Sequence, residues 1–395
     1  MSSSVAVEKN TTDLLFALLR SELSGAELSL QQEGTVDGEC LAALYACAKQ
    51  HDLAHMVGAA LEKHGLMSEI DPVAMKFQKQ QMTAVYRYQQ IQYELGRIAA
   101  ALSEARIAYL PLKGAVVRDV YPEPWMRTSC DIDVLVHEED LDRAVEALQK
   151  KLNYRVKGSR NFHDISLFSE NGTHLELHFN ILENMENIDR LLARVWEYAQ
   201  ADGEDGYGYR VSNEYFAFHL LAHMSYHFVT GGCGVRAFID LWLWRRQVGY
   251  DEAAVEALCK ECGIDTFARA VRHLSEVWFA EASIDEISLQ MQEFILRGGV
   301  YGSLENKINV QQTRKGGKLK YLLSRIFGSY EMMQHRYPIL RKHRWMMPFC
   351  QVHRWFSRLR KGDFRRAAYE VKTNQGMSAE QIERTSLFLE QIGLQ

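Results

Sequence analysis

The chain has 395 residues, of which 47% are hydrophobic and 25% are charged, and its formal net charge is −5. These proportions are typical of a globular protein of about two domains and exclude a wholly disordered chain. No run of about 18 apolar residues occurs, so we expect no membrane span, and the first residues lack the pattern of a secretory signal. Seven scattered cysteines favour reduced thiols over a disulfide framework, so we expect a cytoplasmic location.

Residues 1–105 predict a helical N-terminal region. Several short segments can begin helices, because their Thr and Asp side chains accept hydrogen bonds from the free N–H groups of a first turn. These segments are Thr11–Asp13, Asp37, Asp52 and Asp71, which Pro72 follows. The region contains no recognisable catalytic pattern, so we expect it to be a scaffold.

Between residues 106 and 210 the pattern changes to short strands and amphipathic helices. The predicted strands cover residues 107–110, 131–136, 154–156, 164–168 and 173–179, and the predicted helices cover 114–121 and 138–152. Asn171-Gly172 separates the last two strands and indicates a hairpin turn. The order β-α-β-α-β-β-β predicts an α+β fold, in which a small mixed sheet forms the core and a Gly-rich stretch at 202–209 closes it.

Residues 211–395 predict a helical C-terminal domain with an unusual charge distribution. Between Lys307 and Lys372 there are 17 basic and 3 acidic residues, a net charge of +14. Such a segment is typical of a surface that faces a polyanion, although a solvated helical face explains the charge equally well.

Asp131 and Asp133 are the most informative residues of the predicted sheet. Positions i and i+2 of a strand share one face, so the two carboxylates converge. Neighbouring carboxylates repel unless a proton or a cation lies between them, and Mg²⁺ is the usual cation where phosphates complete its coordination. An isolated pair of this spacing is common, and the alternative is two solvated aspartates.

Two neighbouring segments favour the metal interpretation. Lys113-Gly114 stands at a strand-to-helix turn, where a close backbone approach and free N–H groups suit an anion. His174, Glu176 and His178 alternate on a later strand and share one face, so Glu176 can join the aspartate pair. A phosphate-binding turn and three carboxylates are what a two-metal phosphoryl-transfer site requires.

With these residues in place, the sequence resembles the uncharacterised bacterial nucleotidyltransferase family of the polymerase-beta-type nucleotidyltransferase superfamily. The resemblance extends over roughly residues 80–360. The motifs that carry it are Leu110-Pro-Leu-Lys-Gly114, Tyr121-Pro122, Arg127 with Asp131–Val136, Leu175–Phe179, Gly234-Val-Arg236 with Asp240, and Tyr337-Pro338 before Arg354.

The resemblance implies transfer of a nucleotidyl group, expected to be AMP from ATP, to an acceptor with release of pyrophosphate. It implies Mg²⁺ or Mn²⁺ as cofactor, with Asp131, Asp133 and Glu176 as both the catalytic residues and the metal ligands. The residues expected to bind nucleotide are Lys113, Gly114, Arg127, Ser129, His178 and Arg236. Ala115 stands where the wider superfamily has serine, so phosphate binding is assigned to the backbone, Lys113, Ser129 or Arg127. The acceptor could be a protein or peptide, a small molecule or an RNA.

Other motifs have both functional and structural interpretations. His219, His223 and His227 recur every four residues, so they could hold zinc, but packing beside the nucleotide site, with Asp240 as a partner, is the favoured interpretation. Cys259 and Cys262 have redox or zinc spacing, yet a single pair on a helix favours structural thiols. Arg236 and Asp240 could line the cleft or form an intrahelical ion pair.

Two competing hypotheses belong to other functional classes. The first is a catalytically weak nucleotide- or RNA-binding module that uses the basic C-terminal segment, in which tyrosines and tryptophans alternate with charge. The second is a metal-dependent hydrolase built on the histidine helix.

Overall fold

The computed structural model describes residues 2–28, 36–68, 71–158, 160–203, 206–300, 302–315, 318–360 and 378–394, together with residues 373 and 376. The helices before the sheet are α1 (Ser2–Ser24), α2 (Gly38–Gln50), α3 (Ala54–Lys63) and α4 (Pro72–Glu104). The central region contains β1 (Tyr109–Pro111), α5 (Gly114–Val117), β2 (Asp131–Val136), α6 (Leu141–Leu152), β3 (Arg155–Val156), β4 (Asp164–Phe168), β5 (His174–His178), α7 (Glu186–Leu192), β6 (Ala199–Ala201) and β7 (Tyr209–Val211). The later helices are α8 (Asn213–Thr230), α9 (Val235–Leu243), α10 (Glu252–Glu261), α11 (Asp265–Phe279), α12 (Glu286–Leu296), α13 (Leu304–Lys315), α14 (Lys318–Ile326), α15 (Tyr330–Arg336), α16 (Met347–Arg360) and α17 (Ala379–Gln391).

The main sheet has five strands in the order β1-β2-β5-β4-β3. Strands β2 and β5 are parallel, and every other neighbouring pair in this sheet is antiparallel. This mixed sheet between helical regions confirms the predicted α+β class, and β2 and β4 have the predicted bounds. The parallel pair matters most, because it brings the predicted aspartates and the predicted glutamate onto adjacent strands.

One face of this sheet is apolar and packs on helices. Ile132, Val134, Leu175 and Leu177 alternate along β2 and β5 and are at most 1% exposed. They share a core with residues of α4 and α6, among them Ile98, Leu102, Ala144 and Leu148. Because side chains alternate between faces, this packing directs the acidic residues of the same strands to the opposite face.

The helix starts are only partly as predicted. The Asp37 side chain accepts a hydrogen bond from the N–H of Cys40, and Asp71 caps α4 with Pro72 in the first turn, as expected. Helix α1, however, already begins at Ser2, because no helix-breaking residue separates its first residues from Thr11. Asp52 does not cap α3 either; it adopts a left-handed conformation with φ of 56°, and α3 begins at Ala54.

The structure also contains a second, two-stranded sheet that was not predicted from the sequence. Strands β6 and β7 pair antiparallel, and the backbone N–H of Tyr109 donates to the carbonyl of Tyr207 beside them. The sequence of β6 is Ala-Gln-Ala, which has low β propensity, so its pairing depends on tertiary context. Residues 204 and 205 of the predicted Gly-rich closing stretch lie outside the described ranges.

The largest apolar core joins all three regions into which the sequence was divided. It contains Leu15 and Met56 from the first helices, Leu112 and Val117 from the loop after β1, and residues of α8 to α12. Helices from both ends of the chain therefore pack around the segment that connects β1 with β2. The boundaries at residues 105 and 210 stay predictions.

The described part of the basic segment forms α13 to α16, whereas residues 316–317 and 361–372 of that segment lie outside the described ranges. Val310 of α13 joins the largest apolar core, whereas other buried apolar residues of the segment form small clusters, one around Tyr321 and one around Met333, Leu340 and Cys350. Among the described helices of the whole chain, none combines the length and apolarity needed to cross a membrane.

Candidate functional site

The three predicted carboxylates converge on the polar face of the main sheet. Asp133 on β2 lies directly opposite Glu176 on β5, and Asp131 lies opposite His174. Asp131 and Glu176 are partly exposed, and the side chain of Glu176 keeps 28% of its accessible surface. The carboxylates are therefore gathered at an opening that solvent and a substrate can reach.

The same face offers two sets of metal-binding atoms that share Glu176. Asp131, His174 and Glu176 can place one ligand atom each within 4.8 Å of the others, and so can Asp133, Glu176 and His178. Each set combines carboxylate oxygen with imidazole nitrogen. Carboxylates suit Mg²⁺ and Mn²⁺, whereas imidazole is more typical of softer metals, so the carboxylates of each set fit either cation. His174 was not among the predicted ligands.

The pKa values of these crowded carboxylates are shifted in different directions. Burial, Asp133 and Asp131 raise the pKa of Glu176 to about 7, and burial and Asp133 also raise the pKa of Asp131. Asp133 is different: although burial alone would raise its pKa, nearby Lys113 and a hydrogen bond with His178 hold it below its usual range. At neutral pH one carboxylate of the cluster is thus firmly ionised and another is poised to gain or lose a proton.

Lys113 is the cation nearest this cluster. Its Nζ lies 3.8 Å from Oδ1 of Asp133, and its side chain is 23% exposed. Its backbone has φ of 42°, a left-handed conformation that costs a non-glycine residue energy and is most common at functional sites. Burial would lower the pKa of Lys113, but Asp133, Glu183 and Glu176 raise it, so the ammonium stays charged.

Two arginines contact the segment that follows Lys113 in the sequence. Arg118 donates from Nε to the carbonyl of Gly114 at 2.7 Å and from Nη2 to the hydroxyl of Ser129 at 3.2 Å. A Cβ atom added at Gly114 would lie 3.5 Å from Nη1 of Arg127, which is an ordinary van der Waals contact. Helix α5 has only four residues, so a phosphate site here would depend on this loop more than on a helix dipole.

Both arginines that were predicted to bind nucleotide form ion pairs with carboxylates. Arg127 is buried and donates from Nε to Oδ1 of Asp240 at 2.7 Å, while Tyr121 donates to the same oxygen at 2.5 Å. Arg236 donates from Nη1 to Oδ2 of Asp52 at 2.8 Å. The suggested intrahelical pair of Arg236 with Asp240 is therefore wrong, because each residue has a partner on a different element. These contacts give both arginines a positioning role; whether they also touch nucleotide stays a prediction.

A cleft of about 220 Å³ opens beside the carboxylates, between β5 and α8. Its polar lining includes residues that were expected at the site and others that were not predicted. They are Lys113, His163, Glu176, His178, Glu183, Asn184, His219, His223 and Tyr226. His163, Glu183, Asn184 and Tyr226 are new, and Glu183 follows β5 in a loop whose sequence carries no motif. A cleft that adjoins the carboxylates has room for part of a substrate.

The three histidines of α8 form a row beside this cleft, and two of them, His223 and His227, are joined by a hydrogen bond. Glu183 Oε1 lies 2.6 Å from Nδ1 of His223, and Nε2 of His223 lies 2.9 Å from Nε2 of His227. Asp240, the suggested partner of this row, is instead bound to Arg127. Burial, together with Lys113 and His223, lowers the pKa of His219 to about 3, so this histidine is neutral. The metal-binding groups found among the described residues do not include the three histidines.

The cysteine pair is structural in character. Cys259 lies in α10 and Cys262 at its end, and both are buried free thiols. Burial raises the pKa of Cys259 to about 12 and that of Cys262 to about 11. Both are therefore thiols at neutral pH, which suits packing and makes them poor nucleophiles and metal ligands.

Comparison with known proteins agrees with this geometry. A family of uncharacterised nucleotidyltransferases matches residues 39–280, which is more than half of the chain. The match includes the five-stranded sheet, the cleft and α8, but it ends before Tyr337-Pro338 and Arg354. No curated protein and no solved structure shows a significant match. The chain therefore belongs to this nucleotidyltransferase family and is a transferase of phosphorus-containing groups that acts on a nucleoside triphosphate.

Proposed function

We propose that the protein transfers AMP from ATP to a hydroxyl or phosphate oxygen of an acceptor, with Mg²⁺ or Mn²⁺ as cofactor. In this reaction the acceptor oxygen forms a bond to the α-phosphorus, and the bond from that phosphorus to the β-phosphate oxygen breaks. Pyrophosphate leaves, and a hydroxyl acceptor gives up its proton. The acceptor class is a protein or peptide, a small molecule or an RNA.

The observation that carries this proposal is the placement of Asp133 opposite Glu176. Asp131 lies two residues earlier on β2, where its side chain is partly exposed. Asp131, Asp133 and Glu176 would hold the cation, with His174 or His178 as a further ligand. A divalent cation in this position supplies positive charge to the phosphate oxygens. Without one, three clustered carboxylates would repel a triphosphate.

The chain's own residues account for the remaining steps. Glu176 can accept the proton of a hydroxyl acceptor, because its side chain is partly exposed beside the two aspartates. Lys113 can pair with the triphosphate, since its ammonium already faces this cluster. Gly114 and Ser129 lie in the adjoining loop, where backbone groups could approach phosphate closely.

The test is pyrophosphate release from each of the four nucleoside triphosphates with Mg²⁺ or Mn²⁺. Peptide hydroxyls, polyols and RNA ends are supplied as acceptors. We expect release to be highest with ATP and to fall about 100-fold or more in the Asp131→Asn/Asp133→Asn variant, because the cation would lose its main ligands.

The matched control is Glu170→Gln, which removes an exposed carboxylate at the β4–β5 turn that belongs to neither set of candidate metal ligands. It should release pyrophosphate like the unsubstituted protein. Equal rates in the double-asparagine variant and the unsubstituted protein, across all acceptors, would remove the support for this function.

A further inference from the structure

The described part of the basic segment presents an apolar surface that the nucleotidyltransferase site does not use. Its main part is the α16 face, which we define as Trp345, Phe349, Val352 and Phe356. These side chains are 69%, 65%, 44% and 64% exposed, respectively. Phe349, Val352 and Phe356 are three and four residues apart, so they lie along one side of α16, and the rings of Trp345 and Phe349 are 6.3 Å apart.

A second apolar stripe lies at the end of α14, where the last residues contact α16. Leu323, Ile326 and Phe327, on α14 and just after it, are 41–53% exposed and follow the same helical spacing. Trp355 of α16 donates from Nε1 to the carbonyl of Ile326 at 2.8 Å and contacts the ring of Phe327. Exposed apolar side chains on both helices are unusual for a surface that only meets water.

Positive charge is concentrated in this part of the sequence. Residues 318–360 contain ten Lys and Arg residues and one acidic residue, a net charge of +9 (10 − 1). Three of these, Arg341, Lys342 and Arg344, are exposed and come immediately before Trp345. Aromatic and aliphatic side chains beside a dense group of cations are the composition of helices that lie in a membrane interface.

We propose that the α16 face and its flanking cations dock this enzyme onto an anionic lipid surface. The apolar side chains enter the boundary between headgroups and acyl chains, and the cations pair with acidic headgroups. The segment lies outside residues 39–280, the part that matches the nucleotidyltransferase family, so docking would be an addition to the catalytic unit.

The composition of the surface favours lipid over nucleic acid and over a second copy of the chain. Single-stranded nucleic acid is bound by stacking on aromatic rings, to which Val352, Leu323 and Ile326 contribute nothing. Tyr321 is buried, and Tyr330 donates its hydroxyl to the carbonyl of Leu340, so these rings serve the local fold. Two copies of the same face would bring two strongly positive surfaces together.

The test is flotation of the full chain with vesicles of phosphatidylcholine containing phosphatidylglycerol and with vesicles of phosphatidylcholine alone. We expect the protein to float with the anionic vesicles, to float less with the neutral ones, and to be released by salt. The Phe349→Ser/Phe356→Ser variant should bind anionic vesicles roughly tenfold or more weakly, because two apolar insertions are lost.

The matched control is Met82→Ser/Tyr86→Ser, which removes two side chains of α4 that are 73% and 69% exposed and lie outside the basic C-terminal segment. It should float like the unsubstituted chain. The proposal is overturned if the chain floats with neither vesicle, or if the Phe349→Ser/Phe356→Ser variant floats unchanged. Tight binding of single-stranded RNA without flotation would also overturn it and would assign the surface to nucleic acid.

Discussion

At the scale of single residues, Asp133 and Glu176 lie opposite each other on adjacent strands, and their pKa values are shifted in opposite directions. Lys113 and His178 keep the pKa of Asp133 low, whereas the neighbouring aspartates and burial raise the pKa of Glu176 to about 7. This division resembles the separation of pKa values that assigns different roles to paired carboxylates in enzymes. Without a cation, Asp133 therefore stays ionised, whereas Glu176 is partly protonated near neutral pH.

His219 makes the protein's stability depend on pH. Its side chain is 2% exposed, and burial lowers its pKa to about 3 from the ordinary 6.5. Between these values the unfolded chain binds a proton that the folded protein does not, so stability falls as pH is lowered through this window. The expected slope is about 1.4 kcal/mol per pH unit for this residue.

Urea unfolding midpoints, measured from pH 7 to pH 4, check this expectation with His219→Gln. The variant should lose stability less steeply on acidification, because glutamine stays neutral. His343→Gln, which alters an exposed histidine, should follow the unsubstituted protein. Parallel curves for His219→Gln and the unsubstituted chain would show that His219 is protonated as easily in the folded state as in the unfolded state.

At the scale of elements, the loop between β1 and β2 is fixed by helices from both sides. Asp52, at the α2–α3 corner, accepts from Thr128 at 2.6 Å, and Asp240 of α9 accepts from Arg127 and Tyr121. The carboxylate strand β2 begins directly after this loop. We therefore expect the buried Arg127–Asp240 pair to contribute to both the stability and the placement of the site.

Asp240→Leu tests that contribution. Removing one partner leaves the Arg127 guanidinium buried without its carboxylate, so the free energy of unfolding should fall by about 3–5 kcal/mol. Asp265→Asn alters the surface pair of Asp265 with Arg269, which is half exposed, and should cost less than about 1 kcal/mol. Chemical denaturation compares the two variants; losses of equal size would contradict a structural role for the buried pair.

The elements also show what could be predicted from sequence. Alternation of apolar and polar residues was sufficient to place β2 and β4 and to put the carboxylates on one face, because that pattern is local. The contacts of Glu183 with His223 and of Arg127 with Asp240 join residues 40 and 113 positions apart. Such pairs depend on how helices pack on the sheet, which no local pattern encodes, and so the cleft lining and the arginine partners were missed.

At the scale of the whole molecule, the chain combines a catalytic unit with a basic segment that follows it in the sequence. The family match covers the sheet, the cleft and helices that pack on them, whereas α13 to α16 come after the matched residues. The net charge of +14 between residues 307 and 372 was evident from sequence, but exposure of the α16 face was not, because amphipathic helices more often bury their apolar side. Catalysis and docking can therefore be tested separately.

The central claim is that a divalent cation joins the three carboxylates to a triphosphate. Its most direct test is the binding of a non-hydrolysable ATP analogue, measured by calorimetry with Mg²⁺ and with a chelator. We predict binding at least about tenfold tighter with Mg²⁺, because the cation offsets charge repulsion, and loss of this difference in Asp131→Asn/Asp133→Asn. Glu170→Gln should keep it. Binding that is equally tight without the metal, or metal dependence that survives removal of both aspartates, would contradict the account.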